Sequence, residues 1–148
     1  MRFTWLFYPQ GKRKIVTESR LPNIFFAYGT EEQLKEYVYD NVNLPFLRFY
    51  YRHIHEGNRI IKTPLIVPDN QMDSLKIICA ADADNTFVSL VKVPKFEKGQ
   101  LVKVTDGVFK GVIGRVARWQ GQQRVGVVVD DLVTMATAYI PSAFLSKI

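Results

Sequence analysis

Residues 106–114 of this chain hold Gly107, Phe109, Gly111 and Gly114, flanked on both sides by short apolar runs broken by turn-forming residues. Glycine at such spacings suits a chain that reverses tightly. It alone takes positive φ without a Cβ penalty, and it lets a second backbone approach closely. Phe109 is the large side chain available to plug the resulting barrel, and Val112 and Val116 return to its core. Short β-rich runs at 101–104, 112–117, 125–129 and 137–140 are separated by Asp106-Gly107, Gln120-Gly121 and Asp130-Asp131. Closely spaced strands with turns between them predict a small β-barrel over residues 97–148.

Upstream the pattern is mixed. Residues 3–8 are apolar and stop at Pro9-Gln10-Gly11, a strand ending in a turn. A basic stretch follows, Lys12, Arg13 and Lys14, then weakly alternating residues 15–20. Leu21-Pro22 then introduces a short, buried-looking strand at 24–28, and a hairpin among these early segments is expected. Thr30 opens a helix over 31–40. Its hydroxyl can accept from an orphan amide, Gln33 completes the capping-box spacing, and Leu34, Tyr37 and Val38 form one apolar stripe. Residues 46–53 read as an aromatic strand and 59–62 as its partner around Gly57-Asn58, with Pro64 ending the pairing. Pro68-Asp69-Asn70 opens a second helix with an apolar face at Met72, Leu75, Ile78 and Cys79. The expected organisation is α+β: an α/β domain over 1–80, a linker with one stray strand over 81–96, and the barrel over 97–148.

Composition narrows the function classes. Hydrophobic residues make up 47% of the 148 and charged residues 23%, enough apolar surface to fold. The net charge of +6 divides evenly, with 11 basic and 8 acidic residues in 1–79 and 9 and 6 in 80–148. Neither half is a dedicated polyanion clamp. The apolar runs are far shorter than the roughly 20 residues a bilayer requires, and no secretory leader pattern opens the chain, so a cytoplasmic protein without membrane partners is expected. One cysteine, Cys79, excludes an internal disulfide and a cysteine-based zinc cage.

The stretch Gly99-Gln100-Leu101-Val102-Lys103-Val104-Thr105-Asp106-Gly107-Val108-Phe109-Lys110-Gly111-Val112-Ile113-Gly114-Arg115-Val116 resembles the KOW motif of NusG-type factors and several ribosomal proteins. Leu21-Pro22-Asn23-Ile24-Phe25-Phe26, Leu44-Pro45-Phe46-Leu47-Arg48-Phe49 and Pro68-Asp69-Asn70-Gln71-Met72-Asp73 resemble elements of the NGN domain that precedes KOW in that family. With Ala136-Thr137-Ala138-Tyr139-Ile140-Pro141 they look most like the UpxY-type paralogues, which antiterminate transcription of capsular polysaccharide operons. The resemblance implies an NGN-like α/β sandwich followed by an SH3-like KOW β-barrel. The family domain begins with a further strand and helix, for which no helical pattern exists before Leu21. The sandwich is therefore expected to be incomplete, by truncation or degeneration, with an open edge that invites self-pairing.

The same resemblance implies docking onto the clamp helices of RNA polymerase through Leu21, Pro22 and Ile24, with Phe49 and Tyr51 as neighbouring contact candidates. For each of these aromatic and aliphatic residues strand core is the competing reading. Lys12, Arg13 and Lys14 are candidates for brushing non-template DNA or nascent RNA, against a solvated loop. Leu132, Val133 and Met135 fall where the family presents a loop to ribosomal or termination-factor partners; an external partner and cover from within the chain both remain open. No catalytic residue, cofactor or metal site is expected. His53, His55 and Glu56 lack a distant third ligand, and Asp82-Ala83-Asp84 lacks the rest of a calcium loop. The alternative function is a KOW-type RNA- or ribosome-binding module.

Overall fold

The computed structural model describes residues 3–7, 14–18, 21, 24–81, 86–130 and 132–148. The chain is of the α+β class and divides into two compact units, Ile24–Ile66 and the pair of segments Met1–Asn23 and Val67–Ile148.

The larger unit is organised by one antiparallel sheet. Its strands are β5 (Phe87–Ser89), β6 (Leu101–Val104), β7 (Ile113–Trp119), β8 (Gln122–Val129), β9 (Val133–Ala136) and β10 (Leu145–Lys147), in the order β10-β6-β7-β8-β9-β5. At its start, β1 (Phe3–Phe7) and β2 (Lys14–Glu18) form a hairpin, with Trp5 opposite Val16; the partner of β1 is the weakly alternating stretch and not residues 24–28. Gln120 and Gly121 both take positive φ, which suits the two-residue turn that folds β7 back onto β8.

The sheet differs from the expected closed barrel. No ladder closes it among the described residues. The stray strand of the expected linker is β5, and it occupies the outer edge of β9, with Val88 opposite Met135. The strand expected at 137–140 lies earlier, at 133–136. Asp130 takes positive φ and Leu132 N–H donates to the Val129 carbonyl at 3.0 Å, so the chain has already reversed by residue 132. Thr137 then ends the pairing: its backbone amide donates to Val125 O, and its hydroxyl accepts from Val125 N–H at 3.1 Å.

Helix α2 (Asp69–Ala80), expected to close the N-terminal domain, packs on this sheet. Leu75 and Ile78 are its buried apolar residues, and Ser74 is buried beside them. The Ser74 hydroxyl donates to Asn70 O at 2.8 Å and accepts from Ile113 N–H at 3.0 Å, tying the helix to the first residue of β7. Replacing that hydroxyl leaves a backbone donor without its partner. Ser74→Ala is therefore expected to destabilise the chain by about 1–3 kcal/mol in urea unfolding, and an unchanged midpoint would refute the link.

The expected linker also holds α3 (Pro94–Glu97), whose Phe96 is fully buried with Val93 and Ala136, beside Phe87, Trp119 and Val128. Val93 N–H donates to the Thr134 hydroxyl at 3.1 Å, which anchors the helix start to β9. The segment thus belongs to the core because its apolar residues have a groove to enter.

The smaller unit contains α1 (Glu31–Lys35), which runs on as a π-helical turn over Glu36–Asp40, and the hairpin β3 (Tyr51–Glu56) and β4 (Arg59–Pro64). The capping box is formed as read: Gln33 N–H donates to the Thr30 hydroxyl and Thr30 N–H to Gln33 Oε1. Gly57 takes positive φ at the first position of the two-residue loop, where a II′ hairpin turn requires it. Residues 24–28 form no strand, and residues 46–50 precede the strand instead of starting it. Pairing begins near Tyr50, whose carbonyl accepts from Leu65 N–H, because Pro45 and the reversal around it occupy the preceding residues. No helix among the described residues is long and apolar enough to cross a membrane.

Candidate functional site

In the larger unit the glycine-rich loop between β6 and β7 is built as its spacing requires. Gly107 and Gly111 both take positive φ. Gly111 N–H donates to Val104 O and Val104 N–H to Val112 O, each at 2.9 Å, so the loop closes directly on the end of β6. Asp106 Oδ1 accepts from Gly107 N–H at 2.8 Å and fixes the entry to the turn. Phe109 is buried and Val112 fully so, whereas Val116 is only half-buried. Gly114 meets a different demand: a Cβ there would lie 2.5 Å from the Gly126 carbonyl on β8. Beside this loop runs an open groove of about 830 Å³, lined by Ile77 of α2, Val108, Phe109, Tyr139, Ile140 and Phe144 among others.

The three residues expected as an exposed partner loop lie elsewhere. Leu132, Val133 and Met135 are buried, the last two within β9. Met135 Sδ accepts from the Cys79 thiol of α2 at 3.7 Å, so part of the cover comes from the chain's own helix. These side chains present no surface to an external partner in this structure. Cys79, read as a buried thiol, is half-buried.

Of the polymerase-contact candidates, Leu21 is buried at 2% exposure and belongs to the larger unit. Pro22 lies outside the described residues, as do Lys12 and Arg13; Lys14 is the first residue of β2. Ile24 is half-buried in the smaller unit. Phe49 and Tyr51 come together there: Phe49 sits edge-on between Tyr39 at 5.8 Å and Tyr51 at 6.2 Å between ring centroids. The Tyr39 and Tyr51 hydroxyls are hydrogen-bonded, and that bond holds the Tyr51 phenol above its ordinary range. Nearby Lys35 is likewise raised, chiefly by its hydrogen bond and ion pair with Glu31 at 2.7 Å.

The smaller unit exposes more aromatic surface than the sequence suggested. Phe25 is 80% exposed, and Tyr28, Phe46 and Tyr50 are also well exposed. Apolar runs without alternation carry no signal of which face is covered, so residues 24–28 read as core. No protein-family model, curated protein or solved structure matches this chain. His53 and His55 are exposed on β3, and among the described residues no group of three or more His, Cys, Asp and Glu side chains is placed to hold a metal ion.

Proposed function

We propose that this chain is a NusG-type regulator of transcription elongation and antitermination that acts by contact with RNA polymerase and not by catalysis. The observation that carries the reading is the loop at 106–114. Four residues of the KOW-like stretch meet steric demands there: Gly107 and Gly111 by positive φ, Gly114 by close approach to Gly126, and Phe109 by burial. In this reading residues 97–148 carry the KOW-type part of the open sheet, completed by β5 and α3. The exposed aromatic surface of residues 24–66, with Tyr28, Phe25 and Phe46 at its most open positions, meets the polymerase. Capsular polysaccharide operons are the targets the resemblance suggests.

The test is binding of the full chain to core RNA polymerase and to random RNA at about 0.1 and about 0.5 M salt, a range that separates screened from unscreened contacts. Polymerase binding that survives the higher salt is expected. Phe25→Ser with Phe46→Ser should weaken it about tenfold or more, since exposed aromatic anchors dominate such interfaces. Binding to RNA alone, collapsing with salt, would overturn the proposal in favour of an RNA- or ribosome-binding module.

A further inference from the structure

Strand β3 has one edge paired with β4 and the other outside any ladder, and all six of its residues are exposed. A two-stranded sheet is marginal in water, and an open edge is a template for a third strand. The register states what that edge offers. Residues of β3 and β4 pair from Tyr51 with Pro64 to Glu56 with Arg59, and Leu65 N–H donates to Tyr50 O one step before. Antiparallel alternation therefore turns the backbone groups of Arg52, Ile54 and Glu56 toward β4 and those of Tyr51, His53 and His55 outward.

We propose that this edge pairs with the same edge of a second copy of the chain, antiparallel, about a two-fold axis through Ile54. Among the registers that the outward groups allow, one places His53 opposite His55 of the second copy as a hydrogen-bonded pair. The intervening close pairs are then Ile54 with Ile54 and Arg52 with Glu56, the latter occurring twice by symmetry. In close pairs the side chains stand directly against each other, where opposite charges stabilise and like charges repel. The sequence Arg52-His53-Ile54-His55-Glu56 is thus complementary to itself when reversed.

The same face continues inward, since Ile61 lies opposite Ile54 within each hairpin. Pairing makes a four-stranded sheet crossed by an unbroken row of four isoleucines. The guanidinium of Arg52 has five N–H donors, enough to serve its own chain and Glu56 of the second copy. Such an isologous contact closes at two copies. Charge selects this occupant over another segment of the same chain: residues 24–28 lie outside any ladder but carry no carboxylate for Arg52 and no cation for Glu56. The association does not depend on the polymerase reading.

Light scattering on the full chain after size exclusion, from about 1 to about 100 µM, reads the assembly directly. A mass approaching twice 17.0 kDa is expected as concentration rises. Glu56→Arg sets like charges opposite each other at both symmetric pairs and should raise the dimer dissociation constant about tenfold or more, while Arg52→Glu with Glu56→Arg restores it. Both sites are exposed, so circular dichroism should be unchanged. Ile54→Cys should give a reducible covalent dimer, because a close pair with Cα atoms about 4.5 Å apart falls within disulfide range; His53→Cys should not. The wild type, which retains Cys79, is the control. A monomer throughout, a dimer indifferent to Glu56→Arg, failure of the charge swap to rescue, or cross-linking at position 53 in place of 54 would each overturn the proposal.

Discussion

Gly114→Ala is expected to lower the thermal midpoint by about 10–20 °C, a loss of about 3 kcal/mol for a domain of this size. The added methyl has nowhere to go. Its carbon would stand 2.5 Å from the Gly126 carbonyl oxygen and 3.0 Å from both the carbonyl carbon and Val125 Cγ1. Two of these are backbone atoms of β8, which no rotamer change can move. Nor can β8 retreat freely, because a Cβ at Gly126 would itself lie 2.4 Å from the Phe96 ring. Gly114 does not have positive φ, so the effect is steric and not conformational. Gly57→Ala supplies the contrast: φ is +58° and nothing lies within 4 Å, so only the left-handed penalty of about 1 kcal/mol applies. Thermal unfolding followed by circular dichroism checks both, and equal costs would show that close approach is not what Gly114 provides.

The parts of this fold that were legible in the sequence are those fixed by local chemistry. The Thr30 capping box, the turn at Gly57-Asn58, the start of α2 after Pro68 and the glycine loop at 106–114 each depend on atoms within a few residues. The parts that were not legible depend on distant partners. Residues 24–28 have the composition of a buried strand, yet Phe25 is largely exposed, because a hydrophobic run does not reveal whether a neighbouring strand will cover it. Residues 133–136 form a strand ahead of the expected one because the turn at Asp130 and Leu132 completes sooner than a count of turn residues suggests. The candidate site divides in the same way. Glycine spacing identified the loop around Phe109, but it could not show that Leu21 is buried or that Leu132, Val133 and Met135 lie under their own chain.

Phe96 is the clearest case of a long-range partner deciding local structure, and Phe96→Ala is expected to cost about 3–5 kcal/mol. Helix α3 has only four residues, too few to persist on their own hydrogen bonds. What holds it is the phenyl ring, fully buried against β8 where Gly126 leaves space, with the Trp119 ring centroid 6.4 Å away. Ring and glycine are therefore one fitted pair, and their substitutions should not add. Gly126→Ala alone drives a Cβ to 2.4 Å from the fully buried ring and should cost about 3 kcal/mol. Once Phe96 is alanine, the same methyl enters the space the ring has vacated. The double variant should then be more stable than the sum of the single losses implies, by about 0.5 kcal/mol or more, as contacting residues usually are coupled. Urea unfolding of the four proteins measures that coupling. Strict additivity would mean that the ring and the glycine do not share the space, and that α3 is held on the sheet chiefly by the Val93 to Thr134 hydrogen bond.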